Sequence, residues 1–313
     1  MRHIWLSIFL SLSLYADAHI YLFHRFDDVR YPSTSTSTKD LRTFFDYLKK
    51  NNYEVIPLEK LSNTLKTNSK IDSKWIVFTI DDAFKSFYDN AFELFKEYNY
   101  PFTIFVYPLA TQEGYSDYMS WQELNVTSMY GQIGAHSFNH SHLVGKDTNK
   151  TIADTKKSLA LFKKYGFDVK SYAYPYGEYD EDVFKAVRSF GFETILNQNS
   201  GAVNETSNRF NLDRVPLTAE IDIKHALHFK HLHATWIKPL KYPKDGILKV
   251  IKLQIDKKFK SAMLYVSGFN WQKVKVKEGI IELLFDKKLS SKRVRIIVKS
   301  DDNRYSTKII VKD

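Results

Sequence analysis

Between His19 and about His233 the chain alternates short, fully apolar runs with stretches whose apolar residues recur every three or four positions. Few architectures accept that alternation. Ile20–Phe23, Tyr53–Ile56, Trp75–Ile80, Phe102–Val106, Gln132–Ala135, Ser171–Tyr174 and Phe192–Leu196 read as strands. Leu41, Phe44, Phe45 and Leu48 mark a first helix and Leu58–Leu65 a second. Helices around Phe87–Tyr98, Trp121–Met129, Ile152–Tyr165 and Asp180–Phe190 follow. Repeated strand–helix units imply a parallel sheet, and about seven of them in some 215 residues predict a closed or nearly closed, distorted (β/α) barrel. In such barrels the chemistry collects at the C-terminal strand ends. His24, Asp81, Asp82, Pro108, His136 and Pro175 all directly follow predicted strands and are expected to share one face.

The pattern changes after residue 233. Segments such as Gly246–Ile255, Arg293–Val298 and Thr307–Val311 read as strands, several of them alternating apolar residues with Lys or Arg. This is the mark of half-exposed antiparallel sheets and predicts a small β-sandwich over 236–313. From Ala234 onward there are 20 Lys and Arg against 8 Asp and Glu, although the whole chain has a net charge of +10. The basic module could bind carbohydrate or hold an anionic envelope surface. At the other end, Arg2 and His3 precede the apolar stretch Ile4–Tyr15, and Ala16-Asp17-Ala18 follows as an A-x-A pattern. Residues 1–18 therefore read as a secretory signal, leaving 19–235 as the first domain. An exported chain makes nucleic acid an improbable partner, and no later segment reads as transmembrane. Cysteine is absent, which removes disulfides and thiolates and leaves carboxylates, imidazoles, hydroxyls or a metal to do chemistry.

Two carboxylates, Asp81 and Asp82, end the apolar run 75–80, and His136 and His140 follow about fifty residues later. Asp82, His136 and His140 offer one oxygen and two nitrogens, the three-ligand set of a catalytic divalent-metal site, with zinc the default. Asp81 is then free to act as a general base.

These residues resemble the motifs of the polysaccharide deacetylases of the NodB-homology group, carbohydrate esterase family four. Phe78-Thr-Ile-Asp81-Asp82 is similar to the first motif, in which Asp81 matches the base and Asp82 a metal ligand. His136-Ser-Phe-Asn-His140 is similar to the second, whose histidines bind the metal. Tyr172-Ala-Tyr174-Pro175-Tyr176-Gly177 is similar to the third, where the backbone N–H of Tyr176 helps hold an oxyanion. The resemblance implies a metal-dependent N-deacetylase acting on a polymeric amino sugar, poly-N-acetylglucosamine or peptidoglycan, outside the cytoplasm or in the periplasm. The competing readings are a glycan-binding protein with a degenerate barrel and an O-esterase.

The motifs are incomplete. The arginine that pairs with the base in the third motif is replaced by Ala173-Tyr174, and Arg214 is the candidate substitute. The general acid is open between His24, which ends the first strand, and His228, which has the local Leu-x-His form. Tyr107, Trp121, Tyr174 and Tyr176 are candidates for stacking on sugar rings, and His142 reads as a loop residue or a spare polar contact.

Overall fold

A computed structural model describes residues 16–312; of the expected signal segment, 1–15 lie outside these residues. Seven strands form one parallel sheet: β1 (His19–Phe23), β2 (Trp75–Asp81), β3 (Phe102–Val106), β4 (Gln132–Ala135), β5 (Ser171–Ala173), β6 (Thr194–Leu196) and β7 (Val215–Pro216). Their order is β7-β1-β2-β3-β4-β5-β6, and the two-residue strand Glu54–Val55 pairs beside β2. The sheet curls toward closure, because Leu212, three residues ahead of β7, makes a bridge to Leu196 at the far edge. The distorted barrel expected from the sequence is the architecture found.

Helices α1 (Thr38–Lys50), α2 (Leu58–Lys66), α3 (Phe92–Glu97), α4 (Pro108–Gln112), α5 (Trp121–Thr127), α6 (Thr148–Lys164) and α7 (Glu181–Arg188) connect the strands. α1 shows why they form. Ser37 caps its N-terminus by accepting the Asp40 N–H, and Leu41, Phe44, Phe45 and Leu48 put one apolar stripe on the sheet. Each such buried side chain contributes about 2 kcal/mol. Between β2 and α3 the chain makes a wide turn of π-helix, Phe87–Ala91.

Along β2, Ile76, Phe78 and Ile80 face the helices and join a large aromatic core. The alternate residues Val77, Thr79 and Asp81 share the opposite face; Val77 packs there with Ile20, Phe105, Ala173 and Leu196. Asp81 therefore ends an inward row, and the pleat alone aims it into the barrel.

The C-terminal region has two sheets, antiparallel except for the parallel pairing of the edge strand Lys230–His231. One has the order β8-β15-β14-β11-β12, from β8 (Lys230–His231), β11 (Ser261–Val266), β12 (Gln272–Lys275), β14 (Arg293–Lys299) and β15 (Arg304–Val311). The other has the order β9-β10-β13, from β9 (Thr235–Lys238), β10 (Ile247–Gln254) and β13 (Ile280–Lys288). Leu248, Ile251, Leu253, Leu264, Val266, Val294, Ile296 and Val298 form the core between them. The seam with the barrel is interleaved rather than a simple linker. β8 pairs with β15 from position 230 onward, and Tyr305 of β15 packs 4.8 Å from Phe229 within the barrel core. Ala18, at the expected cleavage point, is itself buried and bridges to Val203.

Candidate metal centre and active site

Five non-glycine residues around the barrel mouth take positive φ: Asp82 (73°), Ala83 (57°), Ser137 (62°), His140 (53°) and Tyr176 (59°). Left-handed backbone is unfavourable for residues with a Cβ and is kept where surrounding structure enforces it. At Asp82 it bends the chain as β2 ends. Successive side chains on a strand point to opposite faces, and the bend lets Asp82 reach the same mouth as Asp81.

His136 follows β4 and is almost fully buried. Its Nδ1 lies 2.7 Å from the carbonyl of Ala173 at the end of β5, so this nitrogen carries the proton and Nε2 presents a lone pair to the mouth. His140 lies one loop further on, with its N–H donating to Ser137 Oγ. His140 Nε2 is 3.1 Å and His136 Nε2 3.5 Å from Asp82 Oδ1. The three ligand atoms all lie within 4.8 Å of one another. Asp82 Oδ1 and His136 Nε2 are buried without hydrogen-bond partners, a cost that a cation between them would offset. The donor set, its spacing and these orphaned atoms fit a divalent ion.

Electrostatics point the same way. Burial, and then the neighbouring charge of Asp81, push the Asp82 carboxyl up to about 8. Burial and His136 push His140 down to about 3, and burial lowers His136 as well. Both imidazoles are thus neutral, as ligands must be, while the crowded carboxylates need a positive partner to share charge.

Arg214 meets part of that need. It is fully buried and grips Asp81 with two parallel hydrogen bonds, Nη1 to Oδ1 at 2.7 Å and Nη2 to Oδ2 at 2.8 Å. Its Nε donates to the Asn197 carbonyl. Burial raises Asp81, but Arg214 and then His136 outweigh it and hold the carboxyl well below the usual carboxylate range. Asp81 therefore stays ionised.

His24 lies close enough to Asp81, Arg214 and His136 to feel their charges, and burial pushes it down to about 4. His228 sits elsewhere, beside Phe229 and Tyr305 at the seam with the C-terminal sheet, and does not join this group. Of the aromatic candidates, Tyr107 and Tyr176 flank His140, with ring centroids at 5.2 and 4.4 Å. Trp121 instead begins α5, stacked 4.0 Å from Tyr165. Tyr174 is fully buried against Tyr179, so neither of these two is offered to a ligand at the mouth.

A sequence model of the polysaccharide deacetylase family matches residues 68–195, which hold both carboxylates, both metal-site histidines and the Tyr176 turn. Residues 68–195 match a polysaccharide deacetylase domain. The chain is also similar to the Bacillus subtilis protein YxkH, 23% identical over 56% of this chain and 63% of that one. This chain therefore spans less than two thirds of YxkH. Another relative is the poly-beta-1,6-N-acetyl-D-glucosamine N-deacetylase of Staphylococcus epidermidis, 22% identical over 58% of this chain and 67% of that one. The Streptococcus pyogenes deacetylase PplD, solved with acetate, shares the fold with a TM-score of 0.63 at 17% identity, over 68% of this chain and 97% of that one.

Two residues of the barrel mouth, Glu178 and Arg293, escaped sequence reasoning, and His142 makes the polar contact that was one of its two readings. His142 is stacked flat on Tyr176 at 4.1 Å, and its Nδ1 lies 2.7 Å from Glu178, a buried carboxylate. Arg293 arrives from β14 and donates to the Tyr176 carbonyl at 2.7 Å. The available signals were a third histidine at the right offset after His140 and an acid just beyond the Pro-Tyr-Gly turn. Nothing local marks Arg293.

Proposed function

We propose that this protein is a divalent-metal-dependent, most simply zinc-dependent, hydrolase that removes N-acetyl groups from a polymeric amino sugar. Poly-N-acetylglucosamine is favoured over peptidoglycan because curated relatives carry that activity in their names. The observation that carries the reading is the triangle of Asp82, His136 and His140 beside an arginine-clamped Asp81. A bound divalent ion would supply Lewis acidity toward the amide carbonyl. Asp81, kept ionised by Arg214, takes the proton of the attacking water. The Tyr176 N–H donates to the developing oxyanion. The proton taken from the water passes on to the leaving amine, with His24, kept neutral by burial beside Asp81, as the group that relays it, while Tyr107 and Tyr176 bracket the sugar. Loss of the amide C–N bond and gain of a C–O bond yield acetate and a free amine.

The test is acetate release from defined β-linked N-acetylglucosamine oligomers, before and after chelator treatment and on re-addition of Zn²⁺. Release abolished by chelator and restored by metal is expected. Glycan binding without release under any metal would return the degenerate-barrel reading, and release from O-acetyl substrates alone would make the protein an esterase.

The reading also includes export to the periplasm or cell exterior. Among the described residues no helix is long and apolar enough to cross a membrane. For the basic C-terminal sheets it includes an anionic envelope surface as partner. Lys273 and Lys275 lie exposed on β12, next to Trp271, whose ring is 5.3 Å from Tyr265. Because Tyr305 belongs to the barrel core, substitution is a cleaner probe than deletion. Lys273→Glu with Lys275→Glu should weaken adsorption to anionic vesicles or acidic wall polymer at low salt and make little difference at high salt.

A further inference from the structure

The turn that carries the Tyr176 N–H is held from outside the barrel. Tyr176 has φ 59° and ψ 4°, and Gly177 follows at φ 67°. Two successive left-handed residues, the first with a bulky side chain, cost of the order of 1 kcal/mol or more and need external support. Gly177 cannot be replaced without strain, since a Cβ there would lie 2.4 Å from Gln198 Cβ. The Tyr176 carbonyl points out of the turn and accepts from Arg293 Nη2 at 2.7 Å. Arg293 Nε sits 3.3 Å from Glu178 Oε1, an ionic contact without hydrogen-bond alignment. The other oxygen of Glu178 meets His142 Nδ1 at 2.7 Å, and the His142 ring lies on the Tyr176 ring, which in turn contacts His140 at 4.4 Å between centroids. The circuit is closed: β14, turn, carboxylate, imidazole, turn.

We infer that Arg293 is a positioning residue of the active site. It fixes the Tyr176–Gly177 turn and thereby makes the C-terminal domain a working wall of the groove rather than a separate adhesion module. This rests on the deacetylase reading for its catalytic consequence, though not for its structural one. An arginine suits the task because its planar fork serves the carbonyl and the carboxylate at once, which an ammonium group cannot do with the same geometry. Holding the carbonyl fixes the peptide plane after Tyr176, and the N–H before it keeps the direction that an oxyanion needs. A misplacement of about 1 Å in such a group costs on the order of a hundredfold in rate.

The experiment uses the full chain with Arg293→Ala and Arg293→Lys. Hydrogen exchange is followed by mass spectrometry, and steady-state acetate release is measured on N-acetylglucosamine oligomers. In Arg293→Ala the peptides covering 174–179 should exchange faster, with the rest of the barrel unchanged. kcat should fall about 10- to 100-fold with KM within about twofold. Arg293→Lys should recover part of both. Unchanged exchange at 174–179, in either variant, overturns the inference, as does full kcat in Arg293→Ala. If the wild-type chain releases no acetate yet Arg293→Ala loosens 174–179, the brace stands and the deacetylase reading falls. Faster exchange throughout Arg293→Ala, with Arg293→Lys showing neither a local change nor a kcat defect, also overturns it.

Discussion

At the barrel mouth Asp82, Ala83, Ser137, His140 and Tyr176 all sit in left-handed backbone. In the C-terminal sheets the comparable residues among those described are Glu278 and Asn303, at the turns leading into β13 and β15, and Asp286, where the pairing of β13 with β10 slips register. One region concentrates strained backbone and buried charge in a few loops. The other repeats apolar and cationic residues on pleated strands around an apolar core. The first has given up local stability for an arrangement of donors and acceptors, and the second supplies stability and sends Arg293 across the seam to the mouth. Strain of this kind marks where the chain does its chemistry.

The contrast can be attacked directly. The largest effect is expected at Asp81: Asp81→Asn should lower acetate release about a thousandfold and, by leaving the buried Arg214 without its carboxylate, should also lower stability by about 3 kcal/mol. Arg214→Met leaves Asp81 buried without its cation and should cost about 3 kcal/mol of stability in addition to activity, read by urea unfolding. In the sandwich, Ile251→Ala removes a fully buried side chain and should cost about 3 kcal/mol through its cavity, while kcat at 25 °C stays unchanged. If Ile251→Ala cripples turnover, the division of labour between the regions is wrong.

A smaller effect concerns Asp213, whose oxygens are enclosed by Asn197 and Gly201 and whose carboxyl burial pushes up to about 7. The folded chain holds this proton more tightly than the unfolded one. The group therefore favours folding at low pH, and its contribution fades as pH rises from about 4 through 7. Asp213→Asn should raise the melting temperature at pH 8 by about 3 °C and do little at pH 4. Smallest is Tyr176→Gly, which should relieve about 1 kcal/mol of backbone strain while reducing kcat, because the ring beside His140 and His142 is lost. A loss of stability instead would show that ring packing outweighs the strain at this turn.

The legible parts of the molecule were those written in short spans. Ile76–Asp81 announces a strand ending inward, and the four-residue interval from His136 to His140 announces paired ligands, so the site triangle followed from spacing. Arg214 was identifiable because its motif position left a cation to be found. Other features depend on distant partners. Sequence ranked His24, which ends a predicted strand, only slightly above His228, which has the Leu-x-His form at helical spacing; the fold separates them by placing His228 against Tyr305. Trp121 looked like a groove residue but begins a helix whose partner, Tyr165, is 44 positions away. Glu178 and Arg293 meet across 115 residues, and no periodicity encodes such a meeting.

The pairing of β8 with β15 has a consequence for the order in which the molecule is made. β15 is synthesised after every strand it joins, yet β8, at residues 230–231, must wait for it. A chain emerging N-terminus first can close its barrel early, but Tyr305 reaches the space beside Phe229 last. The seam between barrel and sheets therefore closes only after residue 305 has been made, later than the strands that carry the metal-site residues.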